Sequence, residues 1–476
     1  MRIKLIFAIT FSVFAFSKSN AQYSSQNISM LGHWYNPLQA AEPGYGIKYN
    51  GCWAWVDTAD NMKEYAIIGS SSGTHIIDIS DPTNPIERDY VPGRRNMCIW
   101  REYKTYGKYL YAISDDSSPN SFQIMDLSYL PDSVHVIHDD VTIFERSHTL
   151  FVDGDKLYCG SVTYPGTGGH YSMIVYSLAD PANPTLLRAL NSDYSNINHV
   201  HDMYVRNDTV YASCGYQGLY MYKYNTGSNT FSLINSLTSY PGQGYNHSSY
   251  LTPNGRILAF CDEVPANMPV KLLDVSDMQN MSVESTFKSN EGATPHNPYM
   301  IGNNHLLVSY YQDGLQIFDI SNPAAPVRTG FFDSDTLAGV NTNFTGFTPY
   351  HGNWGAYVDL PSGNIVINDM QNGLFVLNAS LALSVNENQA NSGISTAFIY
   401  PNPTSDNVSL SLMMKATDEL VIELFDLMGR KIVSEREKVL IGNSSKTINL
   451  INVSEGIYVL KITGKEINYS QKLIKK

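Results

Sequence analysis

A phrase of about 50 residues recurs along the chain, and it limits the possible folds more than any other feature. Its clearest copy is His148-Thr149-Leu150-Phe151-Val152, a tight turn at Asp153-Gly154-Asp155, and then Lys156-Leu157-Tyr158. It reads as strand, turn, strand, with a histidine at the opening. The phrase returns from His201, from His247 (turn Thr252-Pro253-Asn254-Gly255) and from His296 (turn Gly302-Asn303-Asn304). In each copy the hydrophobic residue ten places after the histidine falls in the second strand. A third strand follows in most copies, as in Gly314-Leu315-Gln316-Ile317-Phe318-Asp319-Ile320-Ser321. Gly, Asn, Asp and Pro occupy the turns, where they supply the backbone angles that turns need.

Repeats of 40–50 residues with four short strands point to propeller blades. Repeats 1 and 2 open near Cys52 and Arg101, repeats 3 to 6 at the four histidines, and repeat 7 at Gly355. Repeat 7 offers only three strands, while an orphan strand surrounds Met30. If that strand completes the last blade, the ring closes and hides an edge. The reading is an all-β chain, a seven-bladed β-propeller over 26–380 followed by a small C-terminal β-sandwich. A β-helix would need shorter coils, and a sandwich does not predict a phased repeat. The abundance of tyrosine, 33 residues, suits strands.

The N-terminus reads as a secretory signal over 1–21. Arg2 and Lys4 precede the apolar run Ile6 to Phe16, and Ser19-Asn20-Ala21 offers a cleavage site. No apolar stretch is long enough to span a bilayer. The net charge of −13 argues against nucleic acid. Five cysteines are too few for a disulfide scaffold, although Cys52 and Cys98 could pair; buried thiols are the plainer expectation for Cys159, Cys214 and Cys261. Residues 381–397 are a polar linker, and 398–476 alternate as short strands.

The phrase Gly-x-x-Ile-x-Asp-Ile-Ser-x-Pro-x-x-Pro, best at 73–86 and 314–326, resembles the LVIVD repeat. The whole of 26–380 is similar to the propeller of the choice-of-anchor B family of secreted bacterial proteins. That resemblance implies a fold and no assigned reaction. The tail carries Tyr400-Pro401-Asn402-Pro403, then Leu424 to Arg430 around Gly429, then Gly456-Ile457-Tyr458 and a basic end. It resembles the type A C-terminal sorting domain of type IX secretion. The resemblance implies passage through the periplasm to the outer surface or medium, with the type IX machinery as partner.

Aligned repeats place Arg101, His148, His201, His247 and His296 in one ring at the mouth of the channel, with Cys52 and Gly355 equivalent and His351 within reach. Glu102 and Asp202 follow ring members directly, and His199 precedes one by two. Asp115, Asp262, Glu263 and Asp369 end second strands and could add carboxylates. Converging imidazoles suit Cu, Zn, Fe or Mn, with an open position for redox or hydrolytic chemistry on a small substrate. Two other uses of the ring stay open: an anion pocket with Arg101 as a forked donor, and a structural ring bonding carbonyls. A further alternative is a non-catalytic module that presents Tyr-rich loops to glycan or protein ligands. His135, His138 and His170 read as solvated, and His33 and His75 lie off the ring. No serine-nucleophile elbow or phosphate loop is present. Calcium at the Asp-Pro turns 81–85 and 180–184 is a weaker idea than simple β-turns.

Overall fold

The computed structural model describes residues 23–116, 118–166, 168–335, 350–384, 394–400, 404–414, 417–426, 429–440, 442–465 and 468–476. The expected signal at 1–21 and the motif residues Pro401, Asn402 and Pro403 lie outside them.

Among the described residues, seven antiparallel sheets of four or five strands follow the repeats. They span 49–92, 101–140, 149–189, 202–237, 246–287, 295–332 and 353–378, numbered here as blades 1 to 7. The innermost strands are Tyr49–Asp57, Arg101–Tyr106, Thr149–Asp153, Asp202–Arg206, Asn246–Leu251, Pro295–Ile301 and Asn353–Tyr357. Each touches the next, and the last touches the first, so the ring is closed. The inner hairpins turn where the chain can take positive φ. Blade 4 does so at Asn207 (φ 50°) and Asp208 (φ 58°), two residues that tolerate the left-handed region a tight hairpin needs.

Closure works as the strand count requires. The strand Ser29–Trp34 pairs antiparallel with Gly373–Asn378, with Ser29 opposite Asn378, and completes blade 7. A second N-terminal piece, Ser25–Gln26, adds a fifth strand to blade 6 against Val327–Phe332. The sequence did not suggest it. Seven hydrophobic clusters fill the seven interfaces between neighbouring blades. Third strands such as Gly314–Asp319 are accordingly buried almost throughout, because both faces of each blade are covered.

Two boundaries differ from expectation. Ala382, at the start of the expected linker, is fully buried in the cluster between blades 6 and 7. The strand Ile394–Tyr400, which begins inside that linker, already belongs to the C-terminal domain. That domain is a β-sandwich of a three-stranded and a four-stranded sheet. Alternate residues such as Val408, Leu410, Leu420, Ile422, Leu460 and Ile462 form its core. Gly429 (φ 77°) sits in the turn that returns the chain from Asp418–Asp426 to Lys431–Val439, and Gly456 begins the strand Gly456–Thr463. All five cysteines are free and buried, so Cys52 and Cys98 do not pair.

Candidate functional site

The four repeat histidines form one contiguous arc. Ring centroids are 4.0 Å apart for His148 and His201, 4.2 Å for His201 and His247, and 4.5 Å for His247 and His296. The backbone explains this. His148 and His201 each stand one residue before an inner strand, and their N–H groups bond Gly160 O and Ser213 O. His247 and His296 occupy register shifts in their own inner strands, where one extra residue bulges toward the axis.

Those shifts change who else belongs to the ring. In blade 7 the bulged residue is Trp354, and in blade 1 it is Gly51. Gly355 and Cys52 lie one place further on, so the expected equivalence is off by one residue there. Gly51 (φ 54°) has no room for a side chain: a Cβ would fall 2.6 Å from Arg101 O. His351 is not among the residues lining the cavity, whereas its neighbours Tyr350 and Trp354 are.

Arg101 keeps the ring register but not the expected role. Its guanidinium turns between blades and donates to Ser70 O at 2.9 Å and Arg95 O at 2.9 Å. It is therefore a structural clamp, not a forked donor for an anion. Asp262 is fully buried away from the ring, paired with Lys271 at 2.5 Å. Asp369 is also remote, accepting from the N–H groups of Gln371 and Asn372 in its own turn. Two other strand-end carboxylates do reach the arc. Asp115 Oδ2 lies 2.7 Å from His148 Nδ1. Glu263 Oε2 lies 3.8 Å from His247 Nε2, and Glu263 Oε1 accepts the Tyr311 hydroxyl at 2.6 Å.

The arc is buried rather than exposed at a mouth. His201, His247 and His296 keep 9, 4 and 4% of their surface. Tyr311 stacks on His296 at 4.6 Å, and an apolar cluster with Ile47, Ile99, Tyr350 and Trp354 continues from it. From the arc a cavity of about 310 Å³ runs along the inner strands as far as Thr105, Val152 and Asp359. That volume suits a small organic ligand.

Burial sets the protonation states. It lowers the pKa of His201 and His247 well below the usual imidazole value, and neighbouring imidazoles add to this. It takes His296 down to about 3 and His199 to about 4. Burial also opposes charge on His148, but the Asp115 bond and the fields of Asp115, Asp202 and Glu263 outweigh it, so its pKa is raised. His148 is thus the one ring of the arc shifted toward its charged form, while its three neighbours are shifted toward the neutral one. His199 stands behind it, bonded to the Ser161 and Tyr245 hydroxyls at 2.5 and 2.7 Å.

Three of the four rings have a fixed neighbour at Nδ1. His201 Nδ1 faces His247 O at 3.2 Å, and His296 Nδ1 faces Trp354 O. His148 Nδ1 faces Asp115. His247 Nδ1 is buried with no hydrogen-bond partner, and the His296 carbonyl near it already takes the Ser248 hydroxyl. The other nitrogen of His247, Nε2, is the one that faces Glu263, at 3.8 Å from Oε2. One atom each from His201, His247 and Glu263 lie within 4.8 Å of one another. A first-row ion with bonds of about 2.1 Å needs ligand atoms roughly 3.4 Å apart, so the most distant of these groups would close by up to about 1.4 Å to hold one.

Beyond the arc the channel has two further tiers. One residue on come Glu102, Thr149 and Asp202, with Thr149 Oγ1 donating to Asp202 Oδ1 at 2.8 Å. Three residues on from the ring position stands an aromatic side chain in five of the seven blades: Phe151, Tyr204, Tyr250, Tyr299 and Tyr357, with Ala54 at that place in blade 1. In blade 2 the place belongs to Lys104. Centroids of the first four are 5.3, 4.7 and 6.1 Å apart in sequence, a second ring. The constant spacing of three was visible in the repeats but is easily taken for ordinary core patterning.

The LVIVD repeat family matches residues 63–91 and 301–334, and the secretion system C-terminal sorting domain family matches 398–476. No curated protein matches the sequence. Similar solved structures include a putative 6-phosphogluconolactonase from Bacteroides fragilis NCTC 9343 (10% identity, TM-score 0.45, covering 85% of this chain and 99% of that one). A putative 6-phosphogluconolactonase from Bacteroides uniformis ATCC 8492 is 11% identical, with TM-score 0.47 and coverage of 80% and 96%. The Myceliophteria thermophila Cps50 (Swd1) beta-propeller domain is 10% identical, with TM-score 0.44 and coverage of 66% and 93%. Among the described residues no helix is long and apolar enough to cross a membrane. The chain is an LVIVD-repeat β-propeller with a type IX secretion C-terminal sorting domain, as the resemblances of its repeats and its tail implied, and is exported to the cell surface or beyond.

Proposed function

We propose that this exported propeller holds a transition-metal ion in its channel through His201, His247 and Glu263, with His148 and His296 alongside, and leaves space for a small ligand. The observation that carries the reading is the fixed orientation of three of the four imidazoles around His247 Nε2 and Glu263. Metal-bound histidines usually donate their other ring N–H to a carbonyl or carboxylate, which fixes tautomer and direction. His201 and His296 point Nδ1 at carbonyls and His148 at a carboxylate. Buried neutral imidazoles are also ready ligands, since no proton must leave first. A two-histidine, one-carboxylate set suits Zn, Fe or Mn, and the extra imidazoles would admit Cu. A bound ion would act as a Lewis acid or redox centre toward whatever enters the remaining cavity.

The test uses full-length protein purified without a histidine tag. Elemental analysis is expected to find close to one transition metal per chain. The His201→Ala/His247→Ala variant, confirmed folded by circular dichroism, is expected to lose it. Chelator-stripped protein is then titrated with Cu, Zn, Fe(II) and Mn. Absence of metal from the purified protein, together with no binding in these titrations, overturns the proposal.

A further inference from the structure

We infer that the part of the cavity beyond the histidine arc is a recognition site for a small organic cation, an ammonium held between the Asp202 carboxylate and the aromatic ring. This site shares the cavity of the proposed metal centre but uses none of its ligands, so the two stand or fall separately.

Three observations carry it. First, Asp202 lines the cavity with no cation in ion-pair or hydrogen-bond contact: the Thr149 hydroxyl and the Met203 N–H both bond Oδ1, and the charges of Lys104 and His148 act on the carboxylate only from a distance. A carboxylate withdrawn from water favours a positive charge beside it. Second, the aromatic side chains at the third position supply ring faces and edges around the same space, and Phe151, Tyr250, Tyr299 and Tyr357 line the cavity directly. Aromatic faces attract ammonium groups, more so when both are desolvated. Third, the protein already binds one ammonium there. Lys104 Nζ lies 2.5 Å from Glu102 Oε1 and 4.4 Å from the centroid of Trp53. Glu102 and Asp202 occupy the same register on blades 2 and 4. One acid is answered from within the chain, and the other is open to a ligand. The acidic charge of the whole protein, −13, draws cations toward it.

The probes are three molecules of one shape: 2-phenylethylammonium, neutral 2-phenylethanol and anionic phenylacetate. Calorimetric titration of full-length protein is expected to rank them in that order, the cation at least about tenfold tighter than the alcohol. Asp202→Asn is expected to erase the preference. Lys104→Met is expected to strengthen cation binding, because it frees Glu102 and the Trp53 face; a damaged fold would not produce a gain. The same ranking in the folded His201→Ala/His247→Ala variant separates this site from the metal. Equal affinities, an anion preference, or an unchanged ranking in Asp202→Asn overturns the inference.

Discussion

Asp369 offers a test of how the fold treats an unanswered charge. Its carboxyl is fully buried between blades 6 and 7; Oδ1 takes two backbone N–H groups, and Oδ2 has no hydrogen-bond partner. The Ser334 hydroxyl beside it is also fully buried, and its approach to the carboxyl favours the ionised form. Burial raises its pKa to about 7, and the nearby Asp335 charge adds to this. An unfolded aspartate ionises near 3.9. Between those values the native state keeps a proton that the unfolded chain has lost, so stability falls as pH rises, by about 4 kcal/mol at most. Asp369→Asn keeps the shape and both N–H bonds, and its amide can donate to Ser334. The variant is expected to match the parent at pH 3.5 and exceed it at pH 8. For a propeller of this size that gap is a rise in Tm of roughly 3–5 °C. Calorimetric scans of both proteins from pH 3.5 to 8 measure it. A variant less stable at pH 8 would refute the reasoning, since it would mean that the native carboxylate is ionised and answered by a bound cation.

Three further outcomes are expected. Tyr311→Phe removes the 2.6 Å bond to Glu263 and should weaken metal binding about 10–100-fold by titration; unchanged affinity would remove Glu263 from the ligand set. Lys271→Ala strands Asp262 in a pair with no exposed surface on either side and should cost about 3–5 kcal/mol in urea unfolding, most of it recovered in Asp262→Asn/Lys271→Met. Native protein should not react with a thiol reagent, and denatured protein without reductant should show all five thiols; a Cys52–Cys98 bridge would leave three.

The propeller was legible because its repeat is a physical unit. A hairpin with an apolar face cannot stand alone, so its copies must stack, and the missing strand of repeat 7 had to come from the strand near Met30. Side-chain destinations were less legible. A register position places a Cβ, not a head group, which is why Arg101 keeps the ring register yet sends its guanidinium to Ser70 and Arg95. Neighbours at a strand end point to opposite sides, so of Asp262 and Glu263 only the second meets the arc. Choosing between them requires knowing the pairing, and the extra residue at His247 alters it locally. The same bulge in blades 1 and 7 shifted Cys52 and Gly355 by one place.

That shift also explains the aromatic ring. In a regular strand, residues three apart face opposite sides. Here His247 and Tyr250, His296 and Tyr299, and Trp354 and Tyr357 all line one cavity. The register shifts at His247, His296 and Trp354 absorb one residue each, so an odd spacing becomes a same-side spacing. His148 and Phe151 reach the same result differently, since His148 stands just outside its strand and is free of its alternation; His201 also stands outside its strand, but Tyr204 lines a neighbouring hollow instead. A spacing of three after each histidine therefore has meaning only with the bulge. It builds a channel whose imidazoles and aromatic rings lie in successive layers, with Glu102 and Asp202 between them. Removing one bulge, for instance by deleting a single residue next to His247, would turn Tyr250 out of the channel and leave the other aromatic positions in place.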